Sequence, residues 1–213
     1  MTSVYQKIFL GDIAVRHAVE NTFALRILFK KLAEGVKQPL SFNRIANIVS
    51  STGAKVGTNT IINYMEYAKD AWLINQIQNI AGKLVDKDTA PKYYFTDNGL
   101  LNLFLLDGNT SLLENMVAIN LLRKYGRNDA VYFYNKGIEV DFYVPDAGTA
   151  IQVCYDPDNS AGTFDREVKA LIKIAEVLEC RHLLIITRDT EWMLEMSGKK
   201  IEAIPVWNWL LNL

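Results

Sequence analysis

The chain has 213 residues, half of them hydrophobic, and a formal net charge of −1, enough for one large domain or two small ones with their own cores. Residues 1–110 carry 12 Lys/Arg against 9 Asp/Glu, and residues 111–213 carry 11 against 15, so neither half is the strongly basic body of a dedicated nucleic-acid binder and only a local basic patch stays open. The longest apolar runs, such as Leu103–Leu106 and Leu183–Ile186, fall far short of the roughly 20 residues of a membrane helix. The N-terminus has no signal-peptide core, and Cys154 and Cys180 make neither a disulfide framework nor a zinc site. The expectation is a cytoplasmic protein without a membrane partner, both cysteines buried in a reducing compartment.

In chain order, residues 4–34 predict helix, with Leu25, Leu28, Phe29 and Leu32 at helical spacing and Asn21 or Thr22 as a cap. Gly35 ends this stretch and Pro39 follows. Ser41 can cap a short helix whose Phe42, Ile45, Ala46 and Val49 face one way. After the break at Ser50–Gly53, a second helix should run from Thr58 to Ala68, burying Ile61, Ile62, Met65 and Ala68. Two short helices joined by a glycine-containing turn are a helix-turn-helix signal. Trp72–Ile77 reads as a strand, a polar loop passes through Gly82 to Pro91, and Lys92–Phe95 reads as a second strand, the pair forming the wing of a winged helix; Asp97–Gly99 then turns the chain. If the helix from Thr58 is a recognition helix, Asn59, Thr60 and Asn63 face base edges while Lys55, Lys69 and the wing residue Lys92 reach phosphates.

Residues 111–213 read as one α/β unit. A helix over Leu112–Tyr125 turns Leu113, Met116, Val117 and Leu121 inward; strands follow at Ala130–Tyr134, Ile138–Val144 and Ala150–Tyr155. Thr163 caps an amphipathic helix reaching Glu179, His182–Thr187 is a buried strand, and Ile201–Val206 is the last strand. The aromatic stripe Tyr132, Phe133, Tyr134, Phe142 and Tyr143 reads as sheet core rather than a base-stacking platform.

The order of these elements, and the placement of acids on them, resembles the PD-(D/E)xK nuclease core, which has an acid on its first helix, an Asp on its second strand and Glu-x-Lys on its third. The matching residues are Glu114, Asp141, and Gln152 with Cys154 in Gln152-Val153-Cys154. Phosphodiester cleavage in such a site uses Mg²⁺ held by carboxylates, with a lysine beside the metal-bound hydroxide. Strand alternation places Gln152 and Cys154 on one face, yet the amide removes a negative charge and the thiol cannot supply an ammonium. The resemblance therefore implies a restriction-endonuclease-like fold with a vestigial catalytic set: Asp141 and Gln152 as weak metal ligands, Mg²⁺ or Mn²⁺ only if the site is active, and a Cys154 thiolate favouring Mn²⁺ or Zn²⁺. The bland reading of Glu139 and Asp141 is an acidic edge, or a salt bridge to Lys136 or Arg166. His17 and His182 have no partner at metal spacing.

The chain as a whole resembles the C-terminal region of a family of bacterial and archaeal AAA-type ATPases, in which a P-loop domain precedes a helical segment, a winged helix and a nuclease-like domain. The matching segments are Tyr5–Ile13, Lys92–Leu100, Leu113–Ala118 and Gly137–Phe142. No Gly-x-x-x-x-Gly-Lys-[Ser/Thr] loop occurs in the chain, so the resemblance implies an ATPase domain upstream in the full-length protein, and this chain alone should neither bind nor hydrolyse ATP. The expected organisation is a helical segment over 1–36, a winged-helix-like part over 37–110 and a nuclease-like α/β domain with a mixed sheet over 111–213. The expected function is a DNA-binding or regulatory module of an ATPase, without a cofactor of its own. A Mg²⁺-dependent nuclease with an atypical site and a protein-interaction module are the alternatives.

Overall fold

Short polar side chains start the front helices. In the computed structural model Asn21 accepts from the Ala24 backbone N–H at 2.9 Å, and Ser41 accepts from Arg44 at 3.3 Å, each satisfying a donor the helix leaves free. The structure describes residues 1–81, 90–126, 129–157 and 161–213, the last range without the side chains of Ala161 and Thr163. The expected loop position Gly82 and the expected Thr163 cap lie outside the described residues.

The front part holds α1 (Thr2–Gln6), a π-helix (Lys7–Val15), α2 (Thr22–Glu34), α3 (Phe42–Ser51) and α4 (Thr58–Asp70). The helix expected over residues 4–34 is broken before α2, where Ala18 takes a left-handed φ of 48°. After α4 come β1 (Ile74–Asn79), β2 (Lys92–Phe95), α5 (Asn98–Asn102), α6 (Asn109–Tyr125), β3 (Tyr132–Asn135), β4 (Glu139–Val144), β5 (Thr149–Cys154) and α7 (Ala161–Ile174). The chain closes with β6 (His182–Thr187), β7 (Trp192–Met196), β8 (Lys199–Pro205) and α8 (Val206–Leu211). At Asp97–Gly99 the chain does more than turn: the Asp97 carboxylate caps α5, accepting from Gly99 and Leu100.

The strands make one eight-stranded mixed sheet in the order β2-β1-β3-β4-β5-β6-β8-β7. β1 and β2 form the expected antiparallel hairpin, but the other edge of β1 pairs parallel with β3, so the hairpin is built into the sheet. One hydrophobic core, from Phe9 to Trp209, takes in α2, α4 and α6; a second, on the opposite face, packs Val168, Leu171 and Ile174 of α7 against Val140, Cys154, Ile185 and Ile201. Helices α6 and α7 thus lie against opposite faces of the sheet.

β7 has no counterpart in the sequence expectations. It pairs only with β8 and is mostly exposed, so it lacks a buried apolar run. The two-residue turn Ser197-Gly198 joins it to β8 with both φ values positive, 54° and 69°, as a tight hairpin turn requires.

At the other end of the sheet, edge strand β2 is buried along its whole length. Its free edge is covered by a side chain: the fully buried Asn115 of α6 accepts from the Phe95 N–H at 2.8 Å and donates to the Phe95 carbonyl at 3.0 Å. The amide stands in for the missing neighbouring strand and pins α6 to β2.

Candidate functional site

Three features of the backbone shape the site. Gly137, with φ of 77°, turns the chain between β3 and β4 where a residue with a Cβ would be strained. β4 then carries one more residue than β3 between the pairs Tyr134/Val140 and Tyr132/Tyr143. This bulge shifts the alternation of β4, so that Val140 and Tyr143 face the second core while Phe142 and Val144 face the first, and it re-aims Asp141. The ladder between β4 and β5 stops at Phe142/Ile151, and the strands part at Asp141 and Gln152.

Where they part, side chains take over the bonding. Gln152 accepts from the Asp141 N–H at 2.9 Å and donates to the Glu139 carbonyl at 3.0 Å. Asp141 answers by accepting from the Val153 N–H at 2.9 Å through Oδ2. A backbone N–H on one side and a carbonyl on the other fix which way the Gln152 amide points. Gln152 is therefore a staple between strands. Its oxygen is committed to a backbone donor rather than turned towards an ion.

The fourth participant is Lys92, expected on the solvent side of a wing. That expectation fails: the Lys92 side chain is 0% exposed, because β2 is buried on both faces. Its ammonium lies 3.0 Å from Glu139 Oε1, 3.4 Å from Asp141 Oδ1 and 3.8 Å from Glu114 Oε1, with the Phe133 ring 5.4 Å away. Burial works against this ammonium, yet Asp141, Glu114 and Glu139 together raise its pKa above the ordinary lysine value. The bland pairing of Glu139 and Asp141 with Lys136 or Arg166 is likewise replaced: both pair with Lys92, and Arg166 pairs with its neighbour Glu167 at 2.7 Å.

Glu114 behaves differently from the other two acids. It is buried and accepts from the Tyr94 hydroxyl at 2.8 Å. Burial first, and then the Asp141 charge, push its pKa up to about 8, against the pull of Lys92 and the Tyr94 bond. At neutral pH Glu114 is mostly the neutral acid, consistent with its being the most distant of the three from the ammonium, whose attraction then comes mainly from Asp141 and Glu139. Tyr94 is raised well above its ordinary value by burial and by Glu114.

Cys154 shares the cleft-lining face with Gln152. Burial, and then Glu167, push its thiol up to about 11. At neutral pH burial holds it in the protonated form. Glu167 of α7, absent from the sequence expectations, is also buried and raised by burial.

Glu114, Glu139, Asp141, Gln152, Cys154 and Glu167 line a cleft of about 1120 Å³, with Lys92 and Tyr94 buried behind them. The structure thus brings Glu114, Asp141, Gln152 and Cys154 together, and adds Lys92, Glu139, Tyr94 and Glu167. The rest of the lining carries the cations Lys37, Arg166, Lys169, Lys173 and Arg188 and the acids Asp156 and Asp165. A divalent ion of the kind the nuclease resemblance implies does not fit this donor set, since Gln152 is occupied and an ammonium already sits against the carboxylates. Among the described residues no group of three or more His, Cys, Asp or Glu is placed to hold a metal ion.

The other expected contact surface lies on α4. Asn59 and Asn63 are exposed there and Thr60 is half-buried, while Lys55 is exposed in the segment that precedes the helix. Lys69 is tied to Glu66 at 2.7 Å and to Gln76 at 3.3 Å. Lys92 is buried behind the cleft acids and is no part of that surface. The sequence signal for its role was a lysine opening an otherwise unbroken aromatic strand, Tyr93-Tyr94-Phe95. Such a strand is buried on both faces, and a buried lysine needs an internal counter-charge.

Fold and site together define a mixed-sheet α/β protein with a helical front part and a carboxylate cleft neutralised from within. Residues 1–112 match the family described as Domain of unknown function (DUF8612), and the chain belongs to that family. It is 29% identical over 214 residues to the uncharacterized protein MJ1544 of Methanocaldococcus jannaschii, which covers 96% of this chain and 48% of that protein. It is 29% identical over 220 residues to an uncharacterized protein of Haemophilus influenzae, with 100% and 52% covered. The chain spans about half the length of the curated relatives it matches. Among the described residues no helix is long and apolar enough to cross a membrane.

Proposed function

We propose that this chain is a nucleic-acid-binding module of a longer protein, in which a nuclease-like cleft holds a phosphodiester backbone without cutting it. The observation that carries the reading is the charge layout of the cleft. Of its acids, Glu139 and Asp141 pair with the buried Lys92 and Glu114 is neutral, while the exposed Lys169 and Lys173 of the lining are placed to attract phosphates. Lys169 and Lys173, four residues apart on α7, lie along one side of the cleft as a phosphate track requires. The exposed face of α4, with Asn59 and Asn63, and Lys55 just before it are the second contact in this reading. The resemblance to the C-terminal region of AAA-type ATPases, and relatives about twice as long as this chain, support a place beside a separate ATPase domain.

The test is fluorescence anisotropy with a labelled duplex over a salt series. Each phosphate contact contributes about 0.9 to the slope of log affinity against log salt. The Lys169→Glu/Lys173→Glu variant should therefore bind more weakly and with a slope shallower by about 2. Binding that is unchanged in both respects rejects the cleft as the contact surface. A Mg²⁺-dependent nuclease is the rival reading, favoured by one observation: an ammonium 3.4 Å from Asp141, the group that Cys154 fails to provide. Cutting of plasmid by the wild-type chain in Mg²⁺, abolished by Asp141→Ala, would establish the rival.

A further inference from the structure

The nuclease resemblance asks for a cation among Glu114, Asp141 and their neighbours, and the chain already contains one. We infer that the Lys92 ammonium takes the place of the divalent metal: it is a covalently tethered cation around which the acid side chains of α6 and β4 are assembled.

Four observations converge. The ammonium meets oxygens of Glu139 and Asp141 at 3.0 and 3.4 Å, within reach of N–H donors, and of Glu114 at 3.8 Å, an ion-pair distance; all three are too wide for the 2.0–2.6 Å shell of a bound Mg²⁺ or Ca²⁺. Lys92 has no exposure to bulk solvent, so the carboxylates must supply its counter-charge. The oxygens an ion would use are engaged by internal donors: Asp141 Oδ1 by Lys92 and Oδ2 by the Val153 N–H, Glu114 Oε1 by the Tyr94 hydroxyl. Finally, the position that should supply another carboxylate oxygen is Gln152, whose amide joins β4 to β5.

The arrangement has a structural consequence. Lys92 comes from β2, Glu114 from α6, and Glu139 and Asp141 from β4, so the ammonium ties three separate elements at one point. A metal ion would make the same tie only while bound. The tethered ammonium makes it permanently, at the cost of the Lewis acidity that a metal would bring.

The inference is tested with Mn²⁺, which takes oxygen ligands as Mg²⁺ does and is read as the free ion by electron paramagnetic resonance. The wild-type chain should show no Mn²⁺ binding that depends on Asp141. Lys92→Met removes a positive charge next to the vacated position, and should bind Mn²⁺ at least about tenfold more tightly than wild type. Lys92→Met/Asp141→Asn should lose that gain. Because Lys92→Met leaves buried acids without a counter-ion, its melting temperature is measured in parallel, and Mn²⁺ should raise it while leaving wild type unmoved. Lys92→Met/Glu114→Gln, with less uncompensated charge and both β4 carboxylates kept, serves as the second variant in the same two assays. Asp141-dependent Mn²⁺ binding by wild type overturns the inference. So does a pair of Lys92 variants, folded or unfolded, that neither bind Mn²⁺ nor gain melting temperature from it. DNA affinity is not read in these assays, so their failure is separate from failure of the nucleic-acid reading.

Discussion

Glu114→Gln gives the most direct measure of how the site is charged. In the folded chain Glu114 keeps its proton up to about pH 8, whereas an unfolded chain releases it near the ordinary value of 4.5. Between those values the folded state binds about one proton more than the unfolded state, so stability falls as pH rises through the window. The slope approaches ~1.4 kcal/mol per pH unit, and the whole window is worth on the order of 5 kcal/mol at most. The amide in the Glu114→Gln variant does not titrate, yet keeps an oxygen to accept the Tyr94 hydroxyl. Urea unfolding of both proteins, followed by fluorescence at steps between about pH 5.5 and 7.5, isolates the difference because every other titrating group is common to the two. Wild type should lose stability relative to Glu114→Gln by ~1.4 kcal/mol for each unit of rising pH. Parallel curves would refute the reasoning: Glu114 would then be ionised inside the fold, with Lys92 neutralising a third charge as well as Asp141 and Glu139.

Asn115→Ala removes the amide that covers the edge of β2 and leaves the Phe95 N–H and carbonyl buried; the expected loss is about 1–3 kcal/mol for each orphaned group, measured by chemical unfolding. Gln152→Glu keeps the staple only while the new carboxyl is protonated, because the ionised form turns an oxygen on the Glu139 carbonyl. The variant should therefore be destabilised more at pH 8 than at pH 5, by about 1–3 kcal/mol, and gain no Mn²⁺ affinity while Lys92 is present. Equal destabilisation at both pH values would mean that Gln152 fills space rather than bonds.

Local rules carried the sequence a long way. The caps at Asn21 and Ser41, the apolar faces of α2, α3, α4 and α7, and the strands β4, β5 and β6 follow from short-range spacing, because a helix or strand buries the same face wherever it sits. The convergence of Glu114, Asp141 and Gln152 was legible only through resemblance to a known arrangement, since no periodicity links a helix at 114 to strands at 141 and 152. What the tertiary structure decided rests on pairing across long separations. Lys92 and Asp141 are 49 residues apart, and nothing local distinguishes a wing lysine bound for solvent from one bound for a carboxylate cluster. The parallel pairing of β1 with β3, which carries Lys92 to the site, is a choice of partner rather than of conformation. The same holds for the Asn115 amide on Phe95 and for the bulge that turns Asp141. The sequence by itself determined which segments would be helix or strand and which faces they would bury. The assembled sheet decided which charges meet, because a buried ammonium is tolerable only where other elements, here α6 and β4, bring their oxygens to it.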